Sequence, residues 1–226
     1  IGAVIGSLIA LRVKMTSIPE MVALFNGFGG LATFFIAWSE FNAIPDNVFQ
    51  YIVIMLTTYI GGVTFSGSII AYGKLSEKLK VKKDSFVTKI FTTFFYASIL
   101  FLVYSIGFTE IIELPINFFT VLLILTLLGG IGFVIPIGGG DMPVVISLLN
   151  SFSGIAAAFA GLLLLNNVLI VAGSLVGASG LILTIIMAKA MNRSIGNILF
   201  VGYASSSSSS GYQETGEVKP INVADS

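Results

Sequence analysis

Long apolar stretches alternate with short polar loops over most of the chain. A stretch of roughly 20 apolar residues can cross a bilayer as a helix, whereas a membrane barrel would show alternating segments of about ten residues. The pattern therefore predicts an all-α polytopic membrane protein, a transmembrane helix bundle of about seven spans within residues 1–203. The first span is too short unless it is truncated, and the spans cover residues 1–11, 18–38, 48–72, 86–108, 116–135, 142–165 and 168–191.

The loops between these spans alternate in charge, with basic residues on one side and acidic loops on the other. Under the positive-inside rule the basic side faces the cytoplasm. We therefore expect a multi-pass protein of the cell inner membrane, with its C-terminus and the loop at 138–141 inside. The basic residues are Arg12, Lys14, Lys74, Lys78, Lys80, Lys82, Lys83, Lys89, Lys189, Arg193 and Lys219, and the acidic loops carry Glu40, Asp46, Glu110 and Glu113.

Composition narrows the chemistry. The 226 residues are 56% hydrophobic and 10% charged, with no cysteine and no histidine. Without cysteine there is no thiol chemistry. Without histidine the chain lacks the commonest metal ligand and the usual proton relay, so we expect no metal site. No Asp, Glu, Lys or Arg sits at the middle of a predicted span, so protons would have to pass along water, hydroxyls and amides, or use a titratable group lent by a partner. No phosphate-binding motif is present, so we expect no cofactor bound by this fragment and no nucleic-acid partner.

A segment of the chain occurs twice. Residues 18–35 (IPEMVALFNGFGGLATFF) match residues 142–159 (MPVVISLLNSFSGIAAAF) at a constant offset, and residues 65–74 resemble residues 178–189 more loosely. Two such units four spans apart have the same orientation, which predicts a parallel three-helix internal repeat. The alternative is chance similarity between two spans rich in glycine and serine. The matched pairs are Pro19 and Pro143, Asn26 and Asn150, Phe28 and Phe152, and Gly30 and Gly154.

A lone aspartate precedes the second copy, in the segment GGGDMPVVISLLNSFSG (138–154). Asp141 stands two residues before Pro143, which suits the N-cap of a helix whose first turn tolerates proline. The matching position is Ser17, which together with Glu20 reads as a capping box. Three glycines, Gly138, Gly139 and Gly140, allow backbone motion and close approach next to that charge.

Polar side chains continue into the second copy. Asn150 lies at a depth of about 12 Å by helical rise, and it shares a face with Ser147 and Ser151 through their three- and four-residue spacing. Such a face can hydrogen-bond neighbouring helices or line a water path. The residues alone favour hydrogen bonding between helices and leave the water path open.

The segment 138–154, followed by AGSLVGASGLILTIIMAKAMNRS (172–194), resembles the beta subunit of proton-translocating NAD(P) transhydrogenase. The stretches KMTSIPEMVALFNGFGGLA (14–32) and GGVTFSGSIIAYGKL (61–75) resemble the same family, in the same order. The resemblance covers nearly all of residues 1–203.

This resemblance implies that residues 1–203 are the transmembrane proton-channel domain and that residues 204–226 are a flexible linker to a missing NADP(H)-binding domain. The spans that would precede residue 1 are missing as well. Hydride transfer between NADH and NADP+ would take place in peripheral domains and would be coupled to proton movement. NAD(H) would bind to the partner alpha subunit, and the complex would be a homodimer in the lipid bilayer.

The resemblance also assigns roles. The aspartate of the DMP motif, Asp141, is implicated in coupling, and the asparagine of the LLNS motif, Asn150, in proton conduction. Arg193 leads into the linker. We hypothesise that Asp141 and its glycines gate a path lined by Asn26, Asn150, Thr64, Ser66 and neighbouring hydroxyls such as Ser147 and Ser151.

The chain departs from the family at one position. Many members have a histidine in the span that matches 18–38, where this sequence has Asn26, which cannot titrate. The protonatable group would then come from an alpha-type subunit, or water would carry the proton. Two other functions stay open: a small-solute transporter with parallel repeats, and a membrane scaffold whose partners hold all the activity.

Overall fold

The computed structural model describes residues 2–43, 45, 47–79, 86–108 and 116–199, with the backbone alone at 5, 10, 108, 116, 117 and 199. Two 3-10 turns, Met15–Ser17 and Gly139–Asp141, lead directly into long helices. The helices are α1 Gly2–Arg12, α2 Ile18–Asn42, α3 Val48–Leu75, α4 Phe86–Phe108, α5 Ile116–Val134, α6 Met142–Leu163, α7 Asn167–Ala190 and α8 Ile195–Leu199. The predicted linker at 204–226 lies outside the described residues, as do Asp46, Lys80, Lys82, Lys83, Glu110, Glu113 and Lys219.

The predicted all-α polytopic membrane fold is confirmed. Every predicted span is a helix, with bounds that agree within a few residues. Helices α2, α3, α4, α6 and α7 are long and apolar enough to cross a membrane, whereas the described apolar part of α5, Phe118–Val134, is shorter. Helix α1 has 11 described residues, fewer than the roughly 20 that cross a bilayer.

Local signals explain where two of the helices begin and end. The side chains of Asn47 and Asn166 cap α3 and α7 by accepting from backbone N–H groups three residues on, at 2.9 Å and 3.1 Å. Both helices then stop at a left-handed residue, Glu77 with φ 55° and Asn192 with φ 52°. The caps and the left-handed residues therefore provide partners for backbone N–H and C=O groups that the ends of α3 and α7 would leave unbonded.

Helix α3 is the most deeply buried span and packs against α2, α4, α5 and α6. Helices α2 and α3 form one antiparallel hairpin and α6 and α7 a second. Apolar side chains form two buried clusters, one at each end of the bundle. The cluster around Phe34, Met55 and Phe119 lies at one end, and the cluster around Val134, Met142 and Leu149 lies at the other.

Glycines set the spacing within each hairpin. A Cβ built on Gly30 would lie 2.7 Å from the carbonyl oxygen of Gly61, and one built on Gly154 would lie 2.5 Å from the amide nitrogen of Gly177. Both distances are shorter than a carbon atom tolerates, so the two backbones touch at these crossings. Small residues allow this approach in lipid, where dispersion contacts and not hydrophobic burial drive helix association.

The two matched segments begin with the same backbone conformation. The 3-10 turns before α2 and α6 occupy equivalent positions, and their preceding residues Lys14 and Gly138 share φ −71°, with ψ of 144° and 155°. Ser17 and Asp141, which end the turns, have φ −96° and −91° with ψ 3° and −1°. Proline follows in the first turn of each helix.

Contacts between α2 and α6 show how the two units are related. Asn26 meets Ile146, and further along both helices a Cβ on Gly29 would lie 3.7 Å from the Cβ of Ser153. The positions rise together, so the helices are parallel. Positions 29 and 153 are themselves repeat equivalents, which means that a pseudo-two-fold axis runs between α2 and α6 at this level.

The α6–α7 crossing gives a stability prediction. Gly154→Ala should push α7 away from α6 and lower the free energy of unfolding by about 1–3 kcal/mol, the usual range for overpacking. The matched control is Gly107→Ala in α4, where a Cβ would meet no atom within 4 Å. The thermal midpoint of the detergent-solubilised protein measures both variants, and equal midpoints would contradict a close-packed crossing.

Candidate functional site

Asp141 lies at the start of α6 and is 7% exposed. Its Oδ1 atom lies 3.4 Å from Nε of Arg193, which follows α7 and whose side chain is 59% exposed. An exposed ion pair contributes only about 0–1 kcal/mol, but a buried carboxylate that loses its partner leaves an uncompensated charge, which costs more. The pair therefore joins the beginning of α6 to the end of α7.

The expected capping role of Asp141 is wrong. Asp141 occupies the N-cap position, but its side chain makes no cap hydrogen bond. Two features explain this: its backbone is helical and not extended as a cap requires, and Pro143 removes one of the two N–H groups that a cap normally accepts from. The same holds for Ser17 before Pro19, so the predicted capping box with Glu20 is also wrong. The Asp141 carboxylate is thus available to Arg193.

The three glycines before Asp141 do not need their flexibility in this conformation. Gly138 has φ −71°, and no described glycine has a positive φ. Gly139 and Gly140 are exposed, and a Cβ on either would meet no atom within 4 Å. We call Gly138, Gly139, Gly140, Asp141 and Arg193 the mouth. Its glycines leave an open backbone surface beside a buried charge.

The two asparagines of the repeat lie on facing stripes but differ in bonding. Asn26 is buried and donates from Nδ2 to the carbonyl oxygen of Ile146 at 3.3 Å. Asn150 falls between Ile146 and Ser153, the α6 residues that face α2, by helical spacing. It is partly exposed, and its side chain makes no hydrogen bond within the described part of the chain. Asn26 thus forms a hydrogen bond between α2 and α6, whereas the side-chain amide of Asn150 has no hydrogen-bond partner among the described residues.

The serines of the predicted path face α7. Ser151 donates to the carbonyl oxygen of Gly177 at 2.6 Å, and Ser147 donates to that of Gly180 at 3.4 Å. Thr184 donates to the carbonyl oxygen of Gly180 at 2.8 Å, and its hydroxyl oxygen lies 3.2 Å from that of Ser147. These bonds correspond to hydrogen bonding between helices, the first of the two roles considered from sequence. Thr184 was missed, although it lies one turn beyond Gly180 on the glycine face of α7.

Thr64 and Ser66 lie on α3 and face different neighbours. Thr64 donates to the carbonyl oxygen of Ile60 at 2.6 Å and packs against Gly30 of α2. Ser66 donates to the carbonyl oxygen of Gly62 at 3.0 Å and packs against Gly130 of α5. The structure therefore brings together Asp141 with Arg193, and Asn26 with α6, but it does not gather all the predicted residues around one point.

Lys74 lies near the mouth and was identified from sequence only as one of the basic loop residues. Lys74, in the last turn of α3, donates from Nζ to the carbonyl oxygens of Val134, Ile135 and Ile137, at 3.1, 2.5 and 2.6 Å. These carbonyls lie at the end of α5 and in the segment that leads to Gly138. The last four carbonyls of a helix lack intrahelical partners, so a lysine nearby has a physical role.

Comparison with known proteins places this arrangement in a family. A sequence model described as the NAD(P) transhydrogenase beta subunit matches residues 1–226. The chain belongs to the NAD(P) transhydrogenase beta-subunit family. It is 39% identical over 236 aligned positions to the NAD(P) transhydrogenase subunit beta of Rhodospirillum rubrum and to the protein of that name from strain ATCC 11170. Each alignment covers 91% of this chain and 46% of the relative, so the chain spans about half the length of these relatives.

Within this beta-subunit chain, the chemistry that the described residues offer is hydrogen bonding and not acid–base catalysis across the bilayer. Charged residues of the described helices lie near their ends, and their middles carry amides and hydroxyls. Asp141 is the buried acidic residue at the mouth. Such an arrangement can bind water and orient it, and it can respond to a charge that approaches the mouth.

The serine bonds to α7 give a second prediction. Ser151→Ala removes the 2.6 Å bond to Gly177 and should lower the free energy of unfolding by about 0.6–2 kcal/mol, the range for interhelical hydrogen bonds in membranes. Ser179→Ala is the control, because Ser179 is exposed and bonds only its own helix at Val176. Chemical unfolding in mixed micelles measures both, and the prediction is wrong if the two variants lose equal stability.

Proposed function

We propose that residues 1–203 form the proton-conducting membrane domain of an NAD(P) transhydrogenase, coupling hydride transfer between NADH and NADP+ to proton translocation. The observation that carries this proposal is the position of Asp141. Asp141 is buried and immediately precedes α6. The same helix carries Asn150 on the side that faces α2. A change at the mouth would therefore reach the polar part of the bundle through one rigid helix.

The path itself would consist of amides, hydroxyls and water. The side chain of Asn26 donates to the carbonyl oxygen of Ile146 across the α2–α6 contact. Asn150 has an amide with unused donors and an unused acceptor, which suits it to hold a water molecule. Thr64, Ser66, Ser147 and Ser151 already donate to carbonyls, so they would serve by accepting from water. A titratable group in the middle would come from an alpha-type subunit.

The mouth would sense the nucleotide state of the NADP(H)-binding domain. The relatives are about twice as long as the stretch that they share with this chain, which leaves room for that domain. A docked domain that approaches Gly139 and Gly140 would compete with Arg193 for the Asp141 carboxylate. Coupling requires a two-state element that both sites bias, and the Asp141–Arg193 pair at 3.4 Å is the contact that can open.

The remaining features follow from the same proposal. The lysines and arginines of the described helices lie near helix ends, with Lys74 and Lys189 in the last turns of α3 and α7 and Arg193 beside the start of α6. The end of the bundle that carries these three residues would face the cytoplasm, so the C-terminus would be inside the cell and the protein would lie in the inner membrane. The partners would be the alpha subunit with its NAD(H) site, the chain's own NADP(H)-binding domain and a second copy of the complex. Hydride transfer would need those parts.

Replacement of Asp141 tests the coupling role. In the whole enzyme, reconstituted in vesicles, Asp141→Asn should lower proton-coupled reduction of NADP+ by NADH at least about fivefold, the lower end of the about 5–150-fold that coupling energies correspond to. The control is Glu20→Gln, which removes a carboxylate from the first turn of α2, the equivalent helix. Undiminished activity in Asp141→Asn would remove this residue from the mechanism.

Replacement of Asn150 separates conduction from a scaffold role. Asn150→Ala should reduce proton uptake by vesicles during hydride transfer, because a water-binding amide is lost from the α2–α6 contact. Asn42→Ala is the control, since Asn42 is exposed at the far end of α2 and bonds only Trp38. A scaffold would keep its proton flux in both variants, and that result would favour activity residing wholly in the partners.

A further inference from the structure

Lys74 holds the end of α5 through three separate carbonyls. An ammonium group carries three donors and accepts nothing, and the three oxygens at 3.1, 2.5 and 2.6 Å provide one acceptor for each donor. Hydrogen bonds from a charged donor are roughly twice as strong as those between neutral groups. The positive charge also lies where a helix dipole is negative. The contact is therefore both directional and electrostatic.

The carbonyls that Lys74 binds lead directly into the mouth. Val134 is the last residue of α5, and Ile135 and Ile137 flank Pro136, whose nitrogen has no hydrogen to donate. The next residue is Gly138, whose carbonyl accepts the backbone N–H of Asp141 at 3.1 Å. Ile137 is 1% exposed. Lys74 and the buried Ile137 side chain thus anchor one end of the glycine segment, while Arg193 and α6 hold the other.

Two other lysines near helix ends show that this contact is specific. Lys78, one turn further along the chain, is exposed and interacts with the Tyr72 side chain. Lys189 stands at the end of α7, the repeat equivalent of α3, and is exposed. Both lie at the same end of the bundle, but only Lys74 among these three binds the segment before the mouth. Its position, and not its charge alone, determines what it does.

We propose that Lys74 is a positioning residue for the mouth: its ammonium fixes the carbonyls of residues 134–137, so that movement of Gly138–Gly140 is transmitted to Asp141 and α6. This inference rests on the proposed function, because a mouth that senses a docked domain needs one fixed end. Without that end, a push on the glycines would be absorbed by the end of α5. Lys74 acts through Asp141 and does not touch the transported proton.

The test uses the whole enzyme with Lys74→Met, and with Lys78→Met as the control that removes the same charge one turn away. Hydrogen exchange of the Ile137 and Asp141 amides measures the anchoring directly. Loss of one charge-assisted bond corresponds to about tenfold faster exchange, which we expect for Lys74→Met alone. In vesicles, protons taken up per hydride transferred should fall in Lys74→Met and stay unchanged in Lys78→Met.

Each outcome of these measurements either supports or overturns the proposal. Faster exchange with a lower proton-to-hydride ratio supports the proposal, whereas unchanged exchange, or faster exchange with an unchanged ratio, overturns it. Asp141→Asn is measured in parallel: if it leaves proton uptake intact, the proposed function fails independently of Lys74. If Lys74→Met does not assemble, Lys74→Arg takes its place. Its planar guanidinium cannot converge on three carbonyls in the same way, so the same criteria apply.

Discussion

Direct contact between helix backbones is the constraint on which the rest of this structure depends. At the crossings of α2 with α3 and of α6 with α7, glycine backbones meet at distances that leave no room for a side chain. The hydroxyls of Ser147 and Ser151 then come within reach of α7 carbonyls. Because the hairpins are tightly closed, these hydroxyls find partners without charges, whereas the buried hydroxyls of Thr58 and Ser68 on α3 have no hydrogen-bond partner in the part of the chain that the structure describes. The bundle therefore tolerates amides and hydroxyls in a membrane interior that would reject an unpaired ion.

The near-symmetry of the two hairpins makes their differences informative. Ser17 and Asp141 have almost the same backbone angles, yet only the second is a charge with a partner. Asn26 bonds across to α6, and Asn150 does not bond back to α2. The second unit thus carries the charge and the unused amide on a framework that it shares with the first. The charged side chain with a partner and the unpaired amide therefore both belong to α6 and the turn before it.

Much of this was predictable from the sequence, and the failures have physical causes. Helix positions follow from the lengths of the apolar runs, which are local signals. The repeat follows from the similarity of two distant segments, through pairs such as Asn26 and Asn150. The expected cap at Asp141 failed because the proline that marks a helix start also removes a donor the cap needs. The Lys74 contact joins residues about 60 positions apart, and nothing in the spacing of residues along the chain indicates which carbonyls a lysine will reach.

The parallel relation of the two hairpins limits how such a bundle can open. In transporters built from inverted repeats, the halves exchange conformations, and the opening moves to the opposite membrane face. Here α2 and α6 point the same way, so an exchange of conformations would return the opening to the face where it began. Rocking of one unit against the other, as between the parallel halves of some transporters, would be needed to open the bundle at the opposite face.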